Sequence, residues 1–477
     1  MPDRRTRVAP SASAAPLAAS LAAFRRELGL PDAFPLEVEA EARAAAAAHP
    51  LPGTDLTDVP LLTIDPAGAT DLDQALHLSR DGDGFRVRYA IADVPALVVP
   101  GGRVDAEARR RGQTLYAPDG RVPLHPSAIG EDAGSLLPGV VRGAFVWDIV
   151  LDSDGHETSV QVARARIQSR RQWSYDEAQA AIDDGTAPPE LALLQEVGTL
   201  RIACERERGG ASLNTPDEEV VFRDGTYDLQ RRATLPVEEW NAQLSLLTGM
   251  AAARLMLEAR VGILRTMPPP GADAFTAFRA ATVALGLGWP ESVPYGEYLR
   301  TLDRAEPKAA AVLQAATSLF RGAGYVALDG AAPADPQQAA IAAPYAHVTA
   351  PLRRLVDRWG LVICEALCAG TPVPAWARNS LAELPSIMGA SSRLAAQVDA
   401  GAVDRVEAAL LSSRVGAELD ATVLAVRNGA VLVQLDDPLV SASAPRPDGV
   451  LPGDRVRLRV QAADIATGRV AFEPIAG

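Results

Sequence analysis

Three aspartates, Asp65, Asp71 and Asp73, fall within nine residues in Asp65-Pro-Ala-Gly-Ala-Thr-Asp-Leu-Asp73. Pro66 and Gly68 argue against a helix interior, so the segment reads as a loop following a strand, Pro60-Leu-Leu-Thr-Ile64. Carboxylates held this close repel one another unless a cation neutralises them. Hard oxygen donors suit Mg²⁺, which takes one or two carboxylates and leaves positions for substrate phosphate. Two such ions can activate a water and stabilise a departing oxygen, which is phosphodiester chemistry. Taken alone, however, such spacing more often marks an aspartate-rich surface turn with capping duties. An EF-hand does not fit, because its twelfth loop position needs a bidentate glutamate and His77 stands near there.

Around this loop the chain divides into three textures. Residues 1–55 are mostly helical, with Leu17–Phe24 at helical spacing and an alanine-rich helix over Leu36–Ala48. They would fit a small helix-turn-helix-like unit, without an identifiable recognition helix. From Leu61 the texture is mixed α/β. Phe85–Ala92 alternates as a strand, and helices are expected at Ser174–Ile182, Pro189–Arg208, Glu238–Ala259 and Leu352–Cys368. Residues 413–477 read as all-β, with Asn428-Gly429 between two apolar runs as a hairpin signal. There Val456, Leu458 and Val460 alternate with Arg455, Arg457 and Arg459, giving one apolar and one basic face. A small OB-type barrel follows, its basic face serving either solvent or RNA. With Phe472 the only aromatic after Trp376, RNA binding there would be mainly electrostatic.

Composition bounds less. Apolar residues make up 48% of the chain and charged ones 22%, as in a folded globular protein, and no apolar run reaches membrane-spanning length. No secretory signal is recognisable, and Cys204, Cys364 and Cys368 are expected as reduced thiols in a cytoplasm. The net charge of −14 does not exclude a nucleic-acid partner, since binding follows where the charge lies. The positive charge is almost all arginine, Lys308 being the only lysine, which reflects composition bias before phosphate recognition.

The aspartate segment extended to Leu76 resembles the opening motif of the ribonuclease II catalytic domain, the RNB family. Similar blocks follow in order. They are Tyr89–Val94, Asp105–Gly112 with Leu115–Leu124, Ser135–Gly139, Val237–Glu239 with Leu264–Pro270, and Tyr345–Asp357. They span residues 60–415, with an S1-like barrel behind. The resemblance implies an α+β protein: a helical unit at 1–55, an RNB-type mixed α/β catalytic domain at 56–412, and an S1-type OB barrel at 413–477.

It further implies a monomeric 3′→5′ exoribonuclease. Single-stranded RNA would be hydrolysed to nucleoside 5′-monophosphates with one or two Mg²⁺ ions, or Mn²⁺. Asp65, Asp71 and Asp73 match three of the family's four metal aspartates, while Gln74 stands at the fourth and offers a neutral carbonyl oxygen. Arg353 matches the arginine on the scissile phosphate, with Arg354 beside it and His347 ordering the motif. Tyr116 matches a base-stacking tyrosine, and Glu238, or else Glu239, the glutamate that reads terminal ribose. Alone, each of these would pass for an ordinary helix-end or half-buried residue. Leu213 stands where a second stacking aromatic is expected. Well-known members place two cold-shock-like barrels ahead of the catalytic domain, and residues 1–55 are too short and helical for these. A weakened relative that binds RNA without cutting it, and a nuclease acting on DNA, are the alternatives.

Overall fold

The computed structural model describes residues 6–9, 16–49, 51–211, 217–224, 226–232, 234–303, 306–427, 429–438 and 440–475. Two helices come first, α1 (Pro16–Glu27) and α2 (Leu36–Ala48). The apolar runs after Leu61 then form β1 (Leu61–Asp65), β2 (Gln74–Asp81) and β3 (Gly84–Ala92). A small hairpin, β4 (Leu115–Ala117) with β5 (Gly120–Val122), precedes the long strands β6 (Val141–Leu151) and β7 (Glu157–Ser174). Strands β1, β2, β3, β6 and β7 close into a barrel, β1 pairing β7 in parallel with Asp65 beside Ser174. Closure leaves this sheet no free edge and fixes both ends of β1.

Helices α3 (Pro189–Glu207), α4 (Pro236–Ala259) and α5 (Asp357–Cys368) cover the barrel. Their side chains share one core with the strands, including Leu76, Trp147, Leu244, Leu247 and Trp359. On α4, Gly249 passes so close to Tyr345 that an added Cβ would lie 2.0 Å from the ring. That approach seats Tyr345 and Ala346 directly against α4.

Helix α6 (Leu384–Ser412) leads into β8 (Glu418–Arg427), β9 (Ala430–Leu435), β10 (Ser441–Pro445), β11 (Arg455–Asp464) and β12 (Arg469–Pro474). These form one five-stranded antiparallel sheet, ordered β10-β9-β8-β11-β12, that curls into an OB-like near-barrel. The expected hairpin is the β8–β9 pair, Gly429 taking the left-handed conformation there (φ 81°); Asn428 lies outside the described residues.

The two N-terminal helices are present as expected, but they enter different cores. Leu17 and Leu21 of α1 pack with Tyr227 and with Val423, Val460 and Phe472 of the near-barrel. Val38 and Ala42 of α2 pack instead on Leu61, Ala90 and Ile167 of the closed barrel. The short strand Thr6–Val8 pairs with Asp217–Arg223, far away in sequence. No helix among the described residues is long and apolar enough to cross a membrane.

Candidate active site

Strand β1 is buried from Leu61 to Ile64 and ends by delivering Asp65 to the barrel rim. The loop beyond turns at Pro66, whose carbonyl accepts from Ala69 N, with Gly68 at φ 78°. Ser135 then pins it on both sides: its hydroxyl donates to the Thr70 carbonyl (2.7 Å) and accepts from Leu72 N (2.9 Å). Leu72 is fully buried, which fixes the exits of Asp71 and Asp73 on either side of it.

Segment 349–354 forms the facing wall. Asp73, 3% exposed, accepts the Leu352 amide at 2.8 Å, and its other oxygen lies 3.8 Å from Arg353 Nε. Gln74 donates its side-chain N–H to the Thr349 carbonyl. The wall is held by Asp357, which accepts from Ala350 N (2.7 Å) and takes two bonds from Arg354 (both 2.9 Å). Sequence spacing predicted a helix from Leu352. It begins at Asp357, because the Arg354–Asp357 fork and the Ala350 cap hold residues 350–354 in a turn.

Burial dominates the electrostatics. It raises the Asp65 carboxyl to about 7, the Thr63 hydroxyl and Arg353 opposing the rise and Asp71 adding to it. Burial also pushes Asp73 well above the ordinary carboxylate range, against Arg353 and the Leu352 amide. Asp65 Oδ2 is a buried acceptor with no protein partner. An orphaned, electron-rich oxygen of this kind is a feature that a bound cation would satisfy.

A family model described as the RNB domain matches residues 53–363, and one for the RNase II-type exonuclease C-terminal S1 domain matches 417–475. The chain belongs to the RNB family. Ribonuclease R of Escherichia coli is 29% identical over 342 residues, a stretch covering 67% of this chain and 40% of that enzyme. The chain thus spans less than half the length of that relative. Among solved structures, the apo form of Mycoplasma genitalium RNase R superposes with TM-score 0.82 at 18% identity, covering 96% of this chain and 78% of that one. Yeast Ssd1, described as a pseudonuclease, superposes with TM-score 0.65 at 18% identity, covering 89% and 54%.

In this RNB protein the residues singled out from sequence separate into groups. Asp65, Asp71, Asp73, Gln74 and Arg353 share the rim between the loop and the 349–354 wall. Asp65, Asp73 and the Gln74 carbonyl oxygen are donors suited to a hard cation. Asp71 is engaged elsewhere, by Arg121 Nη1 at 2.6 Å. Arg121 itself was not singled out from sequence, since a contact 50 residues distant leaves no local signal. Among the described residues, the His/Cys/Asp/Glu group whose ligand atoms crowd within 4.8 Å is instead His156 of the β6–β7 turn with Cys204 and Glu207 of α3.

Tyr116 is 47% exposed on the β4–β5 hairpin, directly opposite Arg121. Glu238 caps α4: it accepts from Leu235 N (2.9 Å) and from both terminal nitrogens of Arg232 (2.7 and 3.1 Å). Glu239 is the next residue of that first turn. One turn on, Asn241 donates to the Ile64 carbonyl at 3.4 Å, which sets the start of α4 beside Asp65.

Arg354 lies within the wall. Burial would lower its affinity for the proton, but Asp357 more than offsets this and keeps the guanidinium charged. His347 is buried, which holds it neutral far below the usual histidine range, and its Nδ1 meets the Tyr325 hydroxyl at 2.8 Å. Arg455, Arg457 and Arg459 project from β11, but each is paired: with Asp436 (2.9 Å), Asp420 (3.1 Å) and Glu418 (2.8 Å). On the expected basic face each of these arginines therefore stands beside a carboxylate. Leu213 lies outside the described residues.

Proposed function

We propose that this chain hydrolyses single-stranded RNA from the 3′ end to nucleoside 5′-monophosphates, as a cytoplasmic monomer in RNA turnover or processing. Membership of the RNB family supports a nuclease. The observation that carries the reading is Asp65 Oδ2, buried without a partner and within electrostatic reach of Asp71 and Arg353. Mg²⁺, or Mn²⁺ in its place, would supply a water acidified by coordination and charge stabilisation on the phosphoryl oxygens. Asp65, Asp71 and Asp73 would hold it, with Gln74 contributing a carbonyl oxygen because its N–H is already donated to Thr349.

The protein's own groups do the rest. Arg353 stands on the Asp73 side of the cluster, where its guanidinium stabilises negative charge on the phosphate under attack. Arg354 and His347 act through the turn that fixes Arg353. Tyr116 offers an exposed ring for stacking a base near the 3′ end. Glu238 or Glu239 accepts from ribose hydroxyls and so separates RNA from DNA. With Mg²⁺, 5′-labelled RNA is expected to shorten stepwise, and Asp73→Asn to abolish the ladder. RNA left intact under both Mg²⁺ and Mn²⁺ sinks this reading.

One observation favours a second reading, an RNB protein that binds RNA without cutting it. The fourth ligand position is the amide of Gln74, tethered to Thr349. Tight RNA binding without cleavage, together with cleavage gained by Gln74→Asp, would establish it.

A further inference from the structure

The hairpin that carries Tyr116 also carries a cation into the aspartate cluster. Arg121 Nη1 lies 2.6 Å from Asp71 Oδ1, while its Nη2 reaches Glu131 at 2.8 Å and Thr70 Oγ1 at 3.3 Å. Asp71 and Arg121 are 20% and 29% exposed, shielded enough for the pair to matter yet open to solvent on one side. Asp71 thus has its charge cancelled by the protein, whereas Asp65 Oδ2 is buried without a hydrogen bond.

Tyr116 and Arg121 are directly opposed in the β4–β5 pair, so their side chains leave the same face of the hairpin. A nucleotide stacked on the Tyr116 ring brings its phosphates within reach of the Arg121 guanidinium. A phosphate competes well for that group, because the arginine fork matches phosphate as closely as carboxylate.

Building on the metal-dependent reading above, we propose that Arg121 guards the metal site. Without RNA it occupies Asp71 and competes with the cation, and an RNA phosphate arriving over Tyr116 draws it away. Metal and RNA then bind cooperatively, each raising the affinity for the other by the same factor. Gln74 makes such a guard effective. With one carboxylate fewer in the cluster, an arginine on Asp71 removes a larger share of the attraction for a cation. Glu131 tunes it, since it holds the other side of Arg121 and keeps the guanidinium from committing wholly to Asp71.

The test is a Mn²⁺ binding isotherm on the full chain without RNA. Arg121→Ala is expected to tighten Mn²⁺ binding about five- to tenfold, the worth of one partly shielded ion pair. Arg121→Gln does the same if the alanine variant folds poorly. Glu131→Gln is expected to weaken it, because Arg121 then turns fully to Asp71. Adding a 2′-O-methyl RNA oligonucleotide should tighten Mn²⁺ binding more in the unaltered protein than in Arg121→Ala. Unchanged or weaker Mn²⁺ binding in both Arg121 variants overturns the guard, as does an equal gain from RNA with and without Arg121. Mn²⁺ binding with the expected shifts but no RNA cleavage leaves the guard standing and removes the nuclease reading. No Mn²⁺ binding in any variant overturns both.

Discussion

Asp65, Asp71 and Asp73 lie in a partly buried rim where two guanidiniums, Arg121 and Arg353, approach the cluster and Asp65 Oδ2 is buried without a hydrogen bond. Arg455, Arg457 and Arg459 lie on an exposed strand where each guanidinium meets its own carboxylate. Unpaired charge in a buried place is expensive, so a buried carboxyl either takes up a proton, as the raised Asp65 and Asp73 do, or is completed by a cation. Paired charge on an exposed strand costs little and asks for nothing. The two regions carry similar numbers of charged groups, yet among the described atoms the first leaves a buried carboxylate oxygen without a hydrogen bond while the second pairs each arginine with an acid.

The strongest way to break that contrast is to remove the cation aimed at the chemistry. Arg353→Ala is expected to lower kcat about a hundredfold or more, as for other preorganised donors, with the fold intact because the side chain is 37% exposed. Single-turnover rates on 5′-labelled RNA check it. A loss below threefold would place the transition-state charge elsewhere. Its neighbour should behave differently. Arg354→Met leaves Asp357 buried without its fork, so the expected cost is about 3 kcal/mol of stability. Denaturant unfolding reads it directly, and activity should fall only through the displaced turn.

A third variant tests how a buried histidine beside Arg358 and Asp105 shapes the response to acid. His125 is 1% exposed, and burial, with the Arg358 charge adding, lowers it from 6.5 to about 3. Its folded-state affinity for the proton is depressed, so the stability it permits is fully present above pH 6.5. That stability is lost as pH falls from 6.5 towards 3, where the unfolded chain binds a proton that the folded one refuses. Between pH 8 and pH 5 this amounts to about 2 kcal/mol. His125→Gln should flatten that part of the stability profile, measured by urea unfolding at both pH values. A slope equal to that of the unaltered protein would remove His125 from the account.

The aspartate loop was legible because its chemistry is local: Pro66, Gly68 and three carboxylates within nine residues dictate a loop after a strand. The β8–β9 hairpin was legible for the same reason, Asn-Gly between apolar runs. Contacts that need the third dimension were not. Arg121 reaches Asp71 only because the β4–β5 hairpin folds over the loop. Leu17 enters the core of the C-terminal near-barrel, a relation no local pattern announces. The acids facing the arginine ladder were visible one by one, yet the cross-strand register that sets Glu418 opposite Arg459 and Asp420 opposite Arg457 was not.

That ladder gives the smallest expected effect and the sharpest test of the contrast. If its arginines are cancelled, replacing Arg455, Arg457 and Arg459 together by serine should change RNA affinity by no more than about threefold. The salt dependence should hardly move, because few counterions are released by groups already paired. Stability should fall by less than about 1 kcal/mol per exposed pair. Removing the acids instead, with Glu418→Gln, Asp420→Asn and Asp436→Asn, frees three guanidiniums. It should tighten RNA binding and steepen the dependence of log K on log salt by up to about 2, at ~0.7 per phosphate neutralised on a single strand. Fluorescence anisotropy over a salt series distinguishes the two. A steep loss of affinity and slope in the arginine variant would mean the pairs open for RNA, and the barrel face would then belong with the aspartate rim as a surface completed from outside.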